Sequence, residues 1–359
     1  MSELLSSLPL TIFAVICFGL VVFCHELGHF LAAISCGMPV EEFSMGMGPL
    51  LFSKVHKGIR YSLRLLPIGA FVGIRGESDM EIVGDKPEAA EDTVVTEQLP
   101  SLQDFAVWKR MLMVVAGPFF NFILALLIFV SFAVYNGVPV SEPLLGEVFL
   151  ESRAEKAGFM KDDLILSING QVISSWNEAV EIINAAPEQD VDVVVKRNNE
   201  EVTLSVTPEL SLDDGKGRIG ISVAINHFNL PASVQQGVNL TKDVVVLFYS
   251  SIVESFVDKE MPQFMGPVGL IQVTGDIARN GVLDLIWFMA FISINLGIVN
   301  LLPIPPLDGA RLVMLVVEAV RGKPLPLKYE AMVTAVGFIC LFSFIAFITF
   351  GDITRIFGG

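Results

Sequence analysis

Charged residues are scarce in this chain, and positively charged ones are the scarcer kind. Only 17% of its 359 residues are Asp, Glu, Lys or Arg, and 23 basic side chains stand against 39 acidic ones, for a formal net charge of −16. Nucleic acids and anionic membrane surfaces both favour a basic protein surface. We therefore expect no nucleic-acid partner, and no anionic surface as the main partner.

Cysteine and histidine are also rare, with four residues of each. The four cysteines lie in or beside strongly apolar segments, where disulfides are not expected, and we interpret them as small packing residues. They are Cys17, Cys24, Cys36 and Cys340.

Apolar residues make up the balance, at 53% of the chain with a mean hydropathy of +0.64. A chain this apolar must use lipid as solvent for part of its length. Four segments are long enough to cross a bilayer at about 1.5 Å of rise per residue, within 1–36, 105–136, 282–321 and 329–357. The third is predicted to break at Pro303, Pro305 and Pro306, which have a fixed φ and no N–H. Broken backbone at membrane depth must face protein or a cavity.

The first segment lacks the basic start and small-residue cleavage site of a removable signal peptide, so we expect it to remain as an anchor. The excess of Lys and Arg marks cytoplasmic loops. It predicts that the loops between segments one and two and between three and four are cytoplasmic, and that both termini and the intervening domain face outward. The basic residues concerned are Lys54, Lys57, Arg60, Arg64, Lys109, Arg110, Arg321, Lys323 and Lys328.

The first segment contains the sequence His25-Glu26-Leu27-Gly28-His29. Ionisable groups within a membrane span are costly and therefore indicate a functional site. Residues i and i+4 share a helix face, so two imidazoles can bind one cation while Glu26 borders the same site. The alternative is a pair of core histidines beside Glu26 in a soluble helix, which the apolar flanking turns disfavour.

A catalytic zinc ion needs three protein ligands and one open position, so a third ligand must come from elsewhere. Asp308, directly after the proline-broken stretch, is the best candidate. Its alternative is an ion pair with Arg311. Cys24 is a weaker candidate, because no second Cys or His shares its face.

Four further regions lie outside the spans. Residues 37–104 are predicted to contain a hairpin, with a strand at 60–65 and a glycine-rich return at 67–73, followed by an acidic, solvated loop from Glu77. Residues 140–210 predict a small α+β domain, with strands at 146–149 and 163–168, a helix opened by Ser175, and a hairpin turning at Asn198-Asn199. Residues 211–281 predict a connector with an apolar run at 244–252 that is too short to span and could lie on the membrane surface.

Three motifs occur in order on three apolar segments: His25-Glu26-Leu27-Gly28-His29, Gly117-Pro118-Phe119-Phe120-Asn121, and Asn300-Leu301-Leu302-Pro303-Ile304-Pro305-Pro306-Leu307-Asp308-Gly309. They resemble the site-2 protease family of intramembrane zinc metalloproteases (peptidase family M50), in its bacterial RseP/RasP-like branch. Residues 152–159 and 162–170 resemble a PDZ domain. The similarity covers nearly the whole chain. It departs at Ala70, where a second glycine is expected, and in having one PDZ-like domain where the RseP type has two.

The resemblance implies a polytopic α-helical membrane protein of about four transmembrane helices, with a membrane-associated β-hairpin and one inserted α+β PDZ domain. It implies Zn²⁺ bound by His25, His29 and Asp308, with Glu26 as general base. Substrate-binding roles are carried over to Asn121, Asn300, Gly69, Phe71, Pro303 and Pro305.

The implied partners are the lipid bilayer of the bacterial plasma membrane and single-pass transmembrane proteins, such as anti-sigma factors or remnant signal peptides already cut by another protease. The PDZ domain would bind peptide or exclude bulky substrates. Two other functions remain open from the residues alone. A non-catalytic scaffold with a structural metal would not need Glu26, and a metal transporter would need polar residues along several spans.

Overall fold

Helices form most of the structure. The computed structural model describes residues 2–76, 100–211, 215–227, 229–258 and 266–357, so the acidic stretch 77–99 lies outside the described residues. The helices are α1 (Ser2–Ser35), α2 (Val107–Asn136), α3 (Arg153–Ala157), α4 (Trp176–Asn184), α5 (Leu230–Asp258), α6 (Pro267–Asn280), α7 (Val282–Asn300), α8 (Asp308–Arg321) and α9 (Leu327–Phe357). The strands are β1 (Val40–His56), β2 (Ile59–Ile74), β3 (Val138–Pro139), β4 (Leu145–Val148), β5 (Leu164–Ile168), β6 (Gln171–Val172), β7 (Val191–Arg197), β8 (Glu200–Val206), β9 (Glu209–Leu210), β10 (Gly217–Arg218), β11 (Ile221–Val223) and β12 (Ile225–Asn226).

Four helices are long and apolar enough to cross a membrane, which agrees with the predicted number. The candidate spans are Val15–Ser35, Val107–Asn136, Val282–Asn300 and Lys328–Arg355. The predicted break in the third segment is confirmed, because α7 ends at Asn300 and α8 begins at Asp308. The third span is therefore shorter than the predicted 282–321, and α8 is a separate helix.

Glycines allow the broken stretch between α7 and α8 to close tightly. A side-chain carbon on Gly309 would overlap the carbonyl groups of Leu301 and Leu302, and one on Gly337 of α9 would overlap Pro305. Small residues let backbones approach closely inside membrane proteins. The stretch is thus held against its own backbone and against α9, as non-helical backbone in a membrane requires.

A buried ion pair joins the start of α2 to the last turns of α8. The Arg110 guanidinium donates to both carboxylate oxygens of Glu318, at 3.0 and 2.5 Å, and both side chains are 9% exposed. Arg110 also donates through Nε to the Phe105 carbonyl. A bidentate pair of this kind is geometrically specific, so it sets the position of α8 relative to α2.

The β1–β2 sheet differs from the predicted hairpin. The turn between β1 and β2 lies at Lys57-Gly58, where both residues have positive φ. The predicted return near Gly69, which also has positive φ, reverses the chain but does not form a hairpin. Residues 60–63 and 70–73 do not pair with each other as predicted, because each pairs with residues 42–45 of β1. Local alternation and glycine content revealed the strand character but not the partner, since β1 precedes both predicted segments.

Residues 130–237 form a second compact unit, here called the insert. Its four-stranded sheet has the order β6-β5-β7-β8 and packs its apolar face with α4. The Ser175 cap and the Asn198-Asn199 turn are confirmed: the Ser175 hydroxyl accepts from the Glu178 amide, and both asparagines have positive φ.

The insert extends beyond the predicted boundary at 210. Strand β11 pairs with β4, and β12 pairs with β3, so the domain closes only when residues 221–226 return to its first strands. Such non-local pairing leaves little trace in local sequence. The buried Leu145 and Ile219 belong to the same core.

The predicted connector is mostly helical. The apolar run at 244–252 lies within the 29-residue helix α5, which is not among the candidate spans. Helix α6 begins at Pro267 and lacks a capping side chain of its own. The buried Asp352 of α9 accepts from the Gly269 amide at 2.8 Å and supplies that cap.

We predict that Arg197→Met destabilises the insert by about 2 kcal/mol. The Asp163 side chain is fully buried and accepts two hydrogen bonds from Arg197, at 2.8 and 2.7 Å, so the substitution leaves its carboxylate without these donors. Hydrogen exchange of the full-length protein, read by mass spectrometry, should show faster exchange across β5 and β7. Lys196→Met, at an exposed neighbour, is the control, and equal exchange in the two variants would contradict the prediction.

Candidate metal centre

Three side chains from two helices meet at one point. His25 and His29 lie one turn apart on α1, within the first candidate span, and Asp308 is the first residue of α8. The structure therefore brings together the three predicted metal ligands, which form a group able to hold a metal ion.

The separations of the three donor atoms suit a small tetrahedral ion. The Nε2 atoms of His25 and His29 are 3.2 Å apart, and Asp308 Oδ2 lies 3.1 Å from the first and 3.4 Å from the second. Zinc binds these donors at about 2.0–2.1 Å, and a tetrahedron of that size has edges of about 3.3–3.4 Å. The three atoms thus form one face of such a tetrahedron.

The donor groups at this point are largely buried. His25 and His29 are 6% and 8% exposed, and Asp308 Oδ2 is a buried oxygen without a hydrogen-bond partner among the residues that the structure describes. Burying a carboxylate without compensation is costly. A divalent cation held by the three atoms would satisfy the carboxylate and both imidazoles, so the residues present fit a zinc ion.

The outer nitrogen of His29 determines its tautomer. Nδ1 lies 2.8 Å from the carbonyl oxygen of Met113 on α2. Because a carbonyl can only accept, Nδ1 carries the proton and Nε2 presents its lone pair to the site. Sequence reasoning missed Met113, since a backbone carbonyl leaves no residue-type signal.

Asn121 lies beside the outer nitrogen of His25, as the Met113 carbonyl lies beside that of His29. Its Nδ2 lies 3.2 Å from His25 Nδ1, its side chain is fully buried, and its Oδ1 has no partner in the described part of the chain. Metal binding through Nε2 requires a proton on Nδ1, and a half-turn of the amide lets Oδ1 accept that proton. This position favours an orienting role at His25, and the substrate contact of Asn121 stays a prediction.

Two glycines allow α1 and α2 to approach closely at the site. A side-chain carbon on Gly28 would overlap the Ala116 carbonyl, and one on Gly117 would overlap the His29 ring. The close approach places the Met113 carbonyl and the Asn121 amide within reach of the imidazoles. The Ser293 hydroxyl of α7 donates to the Asn121 carbonyl at 2.9 Å and fixes this part of α2.

The other predicted site residues lie on α1, on the segment that leads from α7 to α8, and on β2. Glu26 follows His25 on α1 and is half-buried, Asn300 is the last residue of α7, and Pro303 and Pro305 lie in the stretch before Asp308. Gly69 and Phe71 lie on β2, and the Phe71 ring is covered by the Arg64 guanidinium, 5.4 Å from its centroid. Their roles remain predictions.

The fold and the site define a class: a membrane protein whose apolar helices bring together two imidazoles and one carboxylate able to hold one metal ion. This is the ligand set of catalytic zinc in hydrolases.

Comparison with known proteins identifies the family. The profile of Peptidase family M50 matches residues 13–344. The chain is 35% identical to the regulator of sigma-W protease RasP of Bacillus subtilis (strain 168) and 33% identical to the zinc metalloprotease RasP of Bacillus licheniformis, covering 96% of this chain and 98% of each relative. A part of it is similar to the PDZ domain of an SdrC-like protein from Listeria innocua, at 24% identity, a TM-score of 0.21, and coverage of 25% of this chain and 100% of that one.

The chain therefore belongs to peptidase family M50. It is a zinc metalloprotease of the site-2 protease type, embedded in a membrane.

We predict that Gly117→Ala strongly lowers zinc binding, because the added methyl group occupies the space of the His29 ring. Zinc per chain, measured on purified full-length protein by elemental mass spectrometry, should fall several-fold. Gly275→Ala in α6 is the control, since a side-chain carbon there meets no atom within 4 Å. Full zinc content in Gly117→Ala would contradict the described packing.

We also predict that Asn121→Leu weakens zinc binding about 10- to 100-fold, the usual effect of losing a group that orients a ligand. Asn121→Asp should retain the affinity, because its carboxylate can accept the same proton. Competition with a chelator of known affinity measures both. Equal affinities in the two variants would show that Asn121 does not orient His25.

Proposed function

We propose that this protein is an intramembrane endopeptidase that hydrolyses peptide bonds within the transmembrane segments of single-pass proteins. The observation that carries the proposal is the cluster of His25, His29 and Asp308 inside the apolar helices, with a carboxylate, Glu26, next to the first ligand. A purely structural metal site has no need of that carboxylate, so the arrangement favours catalysis over a scaffold role.

The metal ion and the residues around it have separate chemical roles. A bound zinc ion supplies Lewis-acid chemistry, polarising a carbonyl and acidifying water to a pKa near 7. Glu26 accepts the proton of the attacking water and returns it to the leaving amine. The Asn300 amide, at the end of α7, donates to the developing oxyanion, a contribution of about 2.7–4 kcal/mol when such a donor is well placed.

A substrate helix must unwind before it can be cut, because its carbonyls are engaged in hydrogen bonds. The strand segment 70–74 supports a route for this step. It pairs with residues 40–45 on one side, and no strand among the described residues pairs with its other side. We propose that an extended substrate adds to this edge near Gly69 and Phe71, with Pro303 and Pro305 shaping the opposite wall. Substrates should then carry helix-weakening residues near the cut.

The relatives support a substrate class. One of them is named as a regulator of sigma-W, and we propose anti-sigma factors and remnant signal peptides, first trimmed by another protease, as substrates here. We further propose that the insert and both termini face outward and that the β1–β2 sheet lies on the cytoplasmic side of the bacterial plasma membrane. The insert then excludes untrimmed substrates or contacts their new ends.

We predict that Glu26→Gln slows cleavage about 10²- to 10⁴-fold, the usual contribution of a general base, while zinc content stays unchanged. Purified full-length protein in lipid is incubated with single-pass peptides, and products are mapped by mass spectrometry. A zinc chelator should stop cleavage of the wild type, and re-addition of zinc should restore it.

The matched control is Glu181→Gln, at an exposed position of the insert, which should cleave at the wild-type rate. Undiminished cleavage by Glu26→Gln would refute the role of Glu26. Cuts confined to segments outside the membrane would refute the intramembrane endopeptidase.

A further inference from the structure

The β1–β2 sheet contains a strand segment that neither the catalytic site nor the proposed substrate edge uses. Residues 42–45 pair with a strand on each side. On one side they are antiparallel to residues 70–73, with Glu42 opposite Gly73 and Met45 opposite Ala70. On the other side they run alongside residues 60–63, from Arg60 to Leu63. Residues 50–56 pair with the far side of 59–64. The sheet therefore has the order 50–56, 59–64, 40–45, 70–74, and residues 50–56 form its outer edge.

The direction of this outer segment follows from the packing of the sheet on α1. Val40 follows the end of α1, and Phe43 then stacks on Phe30 and contacts Phe23, so residues 40–45 run back along the span. Residues 60–63 run alongside in the same sense, since their numbers rise together with 42–45. Residues 50–56 run the opposite way, from the depth of the span toward the end of α1.

The outer segment changes chemistry along that direction. Leu50, Leu51 and Phe52, at its deeper end, are 52%, 58% and 62% exposed. Lys54 and Lys57 follow toward the turn, and Arg60 begins the neighbouring strand, all three with exposed side chains. The segment is thus apolar where it lies beside the middle of the candidate span and cationic near the end of α1.

Its charge contrasts with that of the whole chain. Between Glu42 and Glu77 the sequence contains no acidic residue and five basic ones, Lys54, Lys57, Arg60, Arg64 and Arg75, in a chain of net charge −16. Arg64 and Arg75 pair with Glu42 and Glu41. Within the described ranges no ion pair is formed by the other three.

We propose that Lys54, Lys57 and Arg60 bind the headgroups of anionic phospholipids while Leu50, Leu51 and Phe52 insert among the acyl chains, so that this edge anchors the sheet at one depth in the bilayer. An open strand edge is not tolerated in the hydrocarbon core, so the backbone of this edge lies in the interfacial region, where headgroups and water satisfy it, and only the apolar side chains reach the acyl chains. Amphipathic interfacial segments combine apolar insertion with basic side chains in the same way. Each basic residue near an anionic surface contributes about a fivefold gain in affinity.

The test measures lipids retained by the full-length protein. Wild type is reconstituted in nanodiscs of equal phosphatidylglycerol and phosphatidylcholine, released in the mass spectrometer, and scored for bound lipids. We expect phosphatidylglycerol to be enriched, and the triple variant Lys54→Gln, Lys57→Gln, Arg60→Gln to lose the enrichment at least fivefold. Inorganic phosphate in excess should not displace the lipid.

Three controls make the result specific. Lys156→Gln, Lys161→Gln, Lys196→Gln removes the same charge from exposed positions of the insert and should retain the enrichment, as should the charge-conserving triple Lys54→Arg, Lys57→Arg, Arg60→Lys. Leu51→Ser with Phe52→Ser should lower the total number of retained lipids without changing the preference between them.

Equal phosphatidylglycerol enrichment in wild type and the Gln triple would overturn the proposal. It is the result expected if the basic residues bind the acidic stretch 77–99 of the same chain instead. A second copy of the chain retained in place of lipid would overturn it as well. Neither outcome depends on peptide cleavage, which is assayed separately with Glu26→Gln.

Discussion

The structure depends on gathering two imidazoles and a carboxylate inside an apolar helical bundle. Each of these groups is costly to bury alone, and within the described ranges Asp308 Oδ2 has no hydrogen-bond partner. A cation bound at the three donor atoms turns the cost into a stabilising interaction, because the donors already lie at separations of 3.1–3.4 Å. The site is therefore both the chemical centre of the protein and a constraint on its fold.

Helix α2 carries much of the support for that centre, although it supplies no ligand. Its Met113 carbonyl and Asn121 amide lie behind the two imidazoles. At its start, Arg110 holds Glu318 on the helix that Asp308 begins. The two ends of the ligand set, on α1 and α8, are thus positioned against one common helix.

The sequence was sufficient to predict which three side chains meet at the candidate metal centre, the number of candidate spans and the proline break, because ionisable residues in apolar segments and helical spacing are strong local signals. It was not sufficient where the structure depends on strand pairing between segments that are distant in sequence. The partner of residues 60–73 lies upstream in β1, so the predicted hairpin pairing was wrong. The insert closes through residues 221–226, so its predicted end at 210 came too early. The contact between Asn121 and His25 was missed for a related reason: only the packing of α2 on α1 shows that the amide lies beside that imidazole.

X-ray absorption at the zinc edge, on the wild-type protein in lipid, tests the central claim most directly. Two imidazole nitrogens at about 2.0–2.1 Å, with the remaining ligands oxygen at about 2.0–2.2 Å, are the result that this site predicts, and Asp308→Asn should change the oxygen shell. A sulfur ligand at about 2.3 Å, the distance for a cysteine such as Cys24, or a spectrum that Asp308→Asn leaves unchanged, would contradict the account.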